Sequence, residues 1–313
     1  GSNDVIARAI APGLAKRLGT TIIIDNKPGA AGSIGADAVA KGPKDGSILL
    51  LTSSTLVTSA ATMPRTTPFD VNTAFAPLAL IGQGPMLLAV SATTPIKTPA
   101  DFVAAARSNP GAISYGTSGP GSIAHMSSEM LAEAAKIQML HVPYKGSGPM
   151  HNDLLGGTIK VAVDSLPQNI PYMKSGQLRL LAVTSRTRMS NVPDLPTVSE
   201  SGLNGFESSV WFGLMAPQAT PQDIVLKLNR ELQRALASAE LKAELRAAAV
   251  ASLQQKKATD PAHQNPDPFI TAFMARNIAF SQSGATYVGR PVLQGNWWMV
   301  PQVKRGSVFA NPF

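Results

Sequence analysis

The spacing of hydrophobic positions changes repeatedly along the chain, and each change marks an element. From Asp4 to Leu18, Val5, Ile6, Ile10, Leu14 and Leu18 recur at helical spacing. Ser2 or Asn3 can cap this helix, and Asp4 suits its positive end. Thr21 to Ile24 is a β-branched run that predicts a short strand, and Ala30 to Ala40 reads as a small-residue helix. Strands are predicted at 48–51, 78–81 and 86–90. A second series follows. Thr98-Pro99-Ala100-Asp101 starts a helix that stops near Pro110-Gly111. Strand 112–115, helix 122–136, strand 139–142, helix 147–155 and strands 159–163 and 178–184 come next. Val210 to Ala216 is strand-like, and Thr220-Pro221-Gln222-Asp223 opens a helix with its stripe at Ile224, Val225, Leu228, Leu232 and Leu236.

This alternation predicts an α/β fold with mainly parallel sheets flanked by helices. The two series suggest two lobes with two crossings. Residues 1–95 plus 218–313 form one lobe and residues 96–217 the other. Ligands then lie between the lobes, at the C-terminal ends of strands.

Composition narrows the class. With 44% apolar and 15% charged residues over 313 positions, the chain has enough apolar surface for real cores and is not of the disordered type. No run approaches the ~20 apolar residues of a membrane span. No signal-peptide pattern stands at the start; Gly1 reads as either an engineered or a mature end, so the start of the chain does not itself report secretion. The net charge is +8, but Lys and Arg are scattered, with only short pairs such as Lys256-Lys257 and Lys304-Arg305. That lacks the footprint of nucleic-acid binding, and a diffuse positive field for small anions fits better. Cysteine is absent, which removes disulfides and thiolate metal sites. The four histidines, His125, His141, His151 and His263, show no metal-ligand spacing. No metal or cofactor is expected.

Candidate chemistry gathers in four loops at predicted strand ends. They are Ser53-Ser54-Thr55, Gly116 to Ser122, Tyr144 to Gly148 and Asp164-Ser165. The second, Gly116-Thr117-Ser118-Gly119-Pro120-Gly121-Ser122, leads from a strand into a helix. Gly119 and Gly121 permit close backbone approach, and helix-start amides favour an anion. Thr117, Ser118 and Ser122 add hydroxyl donors. Turns favour such residues anyway, but four at equivalent topological positions read as one shared anion site.

Several side chains stay open between two readings. Lys145 either pairs with a carboxylate or is a solvated lysine. Asp164 either accepts from a ligand or caps a helix starting at Leu166. His125 either lines the pocket or caps and packs, and Trp211-Phe212 either walls the cleft or belongs to the core. Enzyme motifs fail. Pro120 breaks the G-x-S-x-G elbow, no Walker lysine follows a glycine loop, and Gly119 to Ala124 lacks the ribose-binding acid of a dinucleotide site. The chain is equipped to hold an anion rather than to break bonds.

A set of segments then resembles one family. They are Asp25-Asn26-Lys27-Pro28-Gly29-Ala30-Ala31-Gly32, Tyr115 to Ser122 with His125, His141 to Gly146, Leu180 to Ser185, Pro193 to Val198 and Trp211-Phe212-Gly213. Together they resemble the Bug-type extracytoplasmic solute receptors of tripartite tricarboxylate transporters, over about residues 2–245. The resemblance implies a type II periplasmic-binding-protein fold that closes on a small carboxylate, in the periplasm, with membrane permease subunits as partners. It implies no enzyme activity and no cofactor. A monomer is expected, with no nucleic-acid partner. Carried over by motif, the ligand contacts are Ser2, Asn3 and Asp4, then Ser53, Ser54 and Thr55, then Thr117, Ser118, Gly119, Gly121, Ser122 and His125. Tyr144, Lys145, Gly146 and Ser147 with Asp164 and Ser165 complete the set. The alternatives are a transferase or lyase acting on an organic acid in the same cleft, and a carboxylate sensor for a signalling partner. One departure is that the family opens with a strand and glycine loop before the Asp4 helix. Either residues 289–313 supply that strand, or this tail is divergent.

Overall fold

The computed structural model describes residues 1–247 and two short strands further on. The helices are α1 (Ser2–Leu18), α2 (Ser33–Ala40), α3 (Thr55–Thr62), α4 (Pro99–Ser108), α5 (Ile123–Ala135), α6 (Ser147–Leu155), α7 (Leu166–Lys174), α8 (Gln222–Leu236) and α9 (Ala239–Ala247). The strands are β1 (Leu50–Ser53), β2 (Phe75–Ser91), β3 (Ser114–Thr117), β4 (Leu140–Pro143), β5 (Val161–Ser165), β6 (Leu178–Val183), β7 (Ser209–Pro217), β8 (Val292–Gln294) and β9 (Trp297–Met299). Seven strands form one sheet in the order β1-β7-β2-β5-β3-β4, with β6 also on β2.

The long strand β2 organises the molecule. The two strands predicted at 78–81 and 86–90 are one element, continuous through Gln83-Gly84-Pro85. Its first part, Phe75 to Pro85, pairs with β7. From Met86 to Val90 it pairs with β5, and from Leu87 to Ser91 with β6. Proline cannot donate to a ladder, and Pro85 falls where the partners change. The returning chain crosses at the same place. Met86 N donates to Ser208 O, Ser208 N to Thr184 O, and Thr184 N to Met86 O.

The expectation of mainly parallel pairing is corrected by this strand. Parallel ladders occur between β3 and β4 and between β3 and β5. The other four ladders of the seven-stranded sheet are antiparallel. The reason is insertion. β4, β3, β5 and β6 all run one way, and β2 enters reversed between β5 and β6. On the other side β1 and β2 run one way, and β7 enters reversed between them. Each connecting strand thus displaces a parallel neighbour.

The helices are amphipathic or buried as their spacing predicts. α1 buries Ile6, Ile10 and Leu14, and α8 buries Val225, Leu228, Leu232 and Leu236. These faces meet each other and β2, and Asn229 Nδ2 donates to Leu78 O at 2.6 Å. α4 begins with the expected cap. Thr98 Oγ1 accepts from Asp101 N, and the Asp101 carboxylate accepts from Thr98 N. Three local expectations are corrected. α1 starts at Ser2 with Gly1 at the cap position and no side-chain cap bond. Thr21–Ile24 forms no ladder among the described residues; Ile22 packs on the core while Ile23 is 84% exposed. The run from Ala30 is a short 3-10 turn, Ala30–Gly32, before α2. Positive φ at Gly29, Ala30, Ala31 and Gly32 breaks the helix there. The expected role of residues 289–313 lies outside the described residues, apart from β8 and β9, which pair antiparallel with each other.

Candidate functional site

The predicted loops converge, and they do so through backbone and small side chains. α1, α6 and α7 point their N-termini at one another. Ser2 Oγ lies 2.7 Å from Ser165 Oγ, joining the first turn of α1 to the cap of α7. A methyl group placed on Gly1 would lie 3.0 Å from Gln168 Oε1 and 3.2 Å from Ser147 Oγ, the first residue of α6. Unpaired amides at helix starts carry partial positive charge, and three together favour an anion.

Behind this point is a buried polar network. Asp164 Oδ1 accepts from Ser165 N at 2.8 Å. Its Oδ2 accepts from Gln168 Nε2 and, at 3.1 Å, from Asn169 Nδ2. Asn169 Nδ2 also donates to Ser165 O, and His151 Nε2 lies 3.0 Å from Asn169 Oδ1 and 3.5 Å from Asp164 Oδ2. The Asp164 carboxylate thus anchors Ser165, Gln168 and Asn169 at the start of α7.

The second wall is the loop 117–122 with its neighbours. Gly121 (φ 74°) sits against α3; a methyl group on it would lie 2.6 Å from Thr62 Oγ1 and 3.2 Å from Ser59 Cα. A methyl group on Gly119 would lie 3.2 Å from Ala31 N and 3.4 Å from Tyr144 O, and one on Gly146 would lie 3.5 Å from Pro28 Cβ. The segment 28–31 therefore touches both loops. Ala30 and Ala31 take φ 47° and 51°, a left-handed conformation that costs roughly 1–2 kcal/mol per non-glycine residue. Strain of this kind persists only where the surroundings hold it, and here three loops meet. Thr55 Oγ1 accepts from Ile123 N at 3.2 Å, tying α3 to the start of α5.

An aromatic stack supports the loop from beneath. The His125 and His141 rings stack at 4.2 Å, and His141 stacks on Tyr115 at 4.9 Å. Gly121 N donates to His125 Nδ1 at 3.3 Å, so the ring holds the loop in its neutral form. Thr117 Oγ1 lies 2.7 Å from His141 Nε2, and Tyr115 donates to Glu129. Burial pushes His125 below the ordinary imidazole value, although Glu129 pulls the other way. Burial and the adjacent His125 push His141 down to about 4.

That shift carries a sign. An unfolded histidine titrates near 6.5, so between about pH 6.5 and pH 4 the unfolded chain binds the extra proton. The contribution of His141 is fully present above about pH 6.5 and is lost as pH falls through 4. In urea unfolding, the stability lost between pH 7 and pH 4 should be smaller by about 1 kcal/mol in His141→Phe than in the wild type, the figure reduced because the ring is only half-buried. Equal slopes for the two proteins would refute this.

The remaining predicted residues fall as follows. Ser122 is fully buried and caps α5 by accepting from His125 N. Ser118 is half-buried in the loop, Asn3 is half-buried in the first turn of α1, and Ser53 is buried at the end of β1. Ser54 Oγ accepts from Trp211 N, which makes it a strut to β7. Trp211 and Phe212 are core residues. Asp4 accepts from Arg8 and Asn26; burial opposes its charge, but these two donors hold its carboxyl below the ordinary value. Tyr144 OH donates to Asp153 at 2.6 Å, and burial with that carboxylate pushes the phenol up to about 12. The Tyr144 hydroxyl is thus engaged while its carbonyl lies beside Gly119, and Lys145 is exposed. Ala31 and Gln168 border the candidate site beside Gly119 and Gly1, and the reading by motif did not include them among the ligand contacts. The glycines flanking Ala30-Ala31 were the available signal, since they mark special φ values. For Gln168 there was none.

No cluster of metal-binding side chains occurs among the described residues. The arrangement sets helix starts and hydroxyls together beside strands that connect two parts of a sheet, a geometry suited to an anion. The profile of the tripartite tricarboxylate transporter family receptors, TctC, matches residues 6–265, and this chain belongs to that family. It is 37% identical to Protein BugT of Bordetella pertussis over 242 residues, 76% of this chain and 73% of that protein. Its structure resembles the periplasmic binding protein BugD, with a TM-score of 0.82 at 30% identity over 90% of this chain and 92% of that one. It also resembles an R. palustris protein, Rpa4515, solved with adipate, with a TM-score of 0.80 at 32% identity over 90% and 89% of the two chains. The family and these neighbours are solute-binding receptors, not enzymes. Membership implies an extracytoplasmic location and service to a membrane transporter.

Proposed function

We propose that this protein captures a small carboxylate in the periplasm and delivers it, as a monomer, to the permease subunits of a tripartite tricarboxylate transporter. The observation that carries this reading is the meeting of the α1, α6 and α7 N-termini at Ser2, Ser147 and Ser165. The adipate held by the R. palustris relative supports the ligand class. On this reading residues 1–95 with the segment after 217 form one lobe and 96–217 the other. The hinge lies where β2 changes partners at Pro85-Met86 and where the chain returns at Ser208-Ser209. α1 and α3 then approach α6, α7 and loop 117–122 from opposite lobes. A ligand touching both sides favours the closed state by its differential contacts.

Calorimetry with a panel of mono- and dicarboxylates tests the proposal. One-to-one binding of at least one acid is expected. Ser118→Ala with Ser147→Ala should weaken it by about tenfold, one lost net hydrogen bond or two, with the unfolding midpoint little changed. Absence of binding across the panel would overturn the receptor reading.

A further inference from the structure

The Gln168 side chain stands out among the polar groups at this site. The residue is only 8% exposed, yet its Oε1 is buried without a hydrogen-bond partner among the described residues. Buried polar atoms are nearly always paired, because an unmade bond costs the full desolvation of the group. An unpaired atom at a candidate binding site therefore points to a ligand.

The chemistry of that ligand group follows from how Gln168 is held. Its Nε2 donates to the Asp164 carboxylate. Both Asp164 oxygens accept from N–H groups, so the amide presents its nitrogen to Asp164 and not its oxygen. Asp164 is itself fixed by Ser165 N and by Asn169 Nδ2. Gln168 thus has one orientation, with the carbonyl oxygen beside Gly1, where a methyl group placed on Gly1 would lie 3.0 Å from it. That oxygen is an acceptor. It stands where three helix starts favour a carboxylate, whose own oxygens are acceptors as well. A plain carboxylate leaves Oε1 unsatisfied and facing another lone pair. A carboxylate carrying a nearby hydroxyl or ammonium satisfies both, with its anionic end toward the helix starts and its donor toward Oε1.

We infer that Gln168 Oε1 is a specificity determinant that selects small carboxylates bearing a hydrogen-bond donor, a hydroxyl or an ammonium, beside the carboxyl group. The inference rests on the carboxylate-receptor reading above and deepens it. A site built to bond such a group rejects the analogue that lacks it far more strongly than an apolar pocket rejects a lost methylene.

The test compares acids that differ in one group. Succinate, malate and aspartate form one series; glutarate, 2-hydroxyglutarate and glutamate form a second. Each is titrated calorimetrically into the wild-type protein and into Gln168→Met, which keeps the length of the side chain and removes its oxygen. In the wild type, the hydroxy or amino member of a series should bind at least about tenfold more tightly than the plain member. Whether malate or aspartate leads tells hydroxyl from ammonium. In Gln168→Met the ratio should collapse toward one, mainly through the donor-bearing acid. Equal wild-type affinity for plain and donor-bearing acids overturns the inference and leaves the receptor reading standing, and this arm does not depend on the variant folding. Discrimination that survives in Gln168→Met removes the assignment to Gln168. Failure of every acid in both series to bind overturns the receptor reading and this inference together.

Discussion

Gly121→Ala is expected to weaken carboxylate binding by about 30- to 100-fold while leaving the protein folded. Gly121 has φ 74°, where alanine is strained, and that strain costs about 1 kcal/mol in any state of the protein. The added methyl group also meets α3, at 2.6 Å from Thr62 Oγ1 and 3.2 Å from Ser59 Cα. The Thr62 side chain can turn away, whereas Ser59 Cα is helix backbone and cannot. On the two-lobe reading this contact exists only when loop 117–122 closes on α3. Closure then loses about 2–3 kcal/mol, which sets the expected fall in affinity. Calorimetry against urea unfolding separates the two costs. The unfolding free energy should drop by about 1 kcal/mol and the binding free energy by more. An unchanged affinity would mean that the loop and α3 do not meet in the bound state.

Asp164→Ala should produce the largest loss of stability, about 3–5 kcal/mol in urea unfolding. The carboxylate receives Ser165 N, Gln168 Nε2 and Asn169 Nδ2, and His151 Nε2 lies 3.5 Å away, all of them buried. Removing the acceptor leaves Ser165 N, Gln168 Nε2 and one Asn169 Nδ2 hydrogen without it in a buried setting. Asp164→Asn should fall between, because whichever way its amide turns, its nitrogen faces a donor. A loss below about 1 kcal/mol for the alanine variant would show that the network is not a structural anchor.

The two substitutions probe different kinds of legibility. The helical stripe at Ile6, Ile10 and Leu14, the Thr98–Asp101 cap and the hydroxyl loops at strand ends were readable, because period and capping chemistry are local. Thr21–Ile24 misled, since a β-branched run becomes a strand only beside a free partner. The small residues at 30–40 misled in another way. Helix propensity favours alanine, but Ala30 and Ala31 take left-handed φ where the segment meets Gly119 and Gly146. Among the candidate ligand contacts, the sequence placed the hydroxyls but not their partners: Ser54, Ser122 and Thr117 bond Trp211 N, His125 N and His141.

The amino-acid sequence by itself determined the alternation of elements, the glycine and hydroxyl loops at strand ends, the absence of catalytic motifs and the motif set of one receptor family. Each depends on residues close together in the chain. Only the tertiary structure decided that β2 serves both parts of the sheet, that α1, α6 and α7 start at one point, and that Gln168 presents its oxygen there. Those facts depend on which distant groups share a buried space, where a donor must find an acceptor or remain unpaired. No local pattern records that pairing.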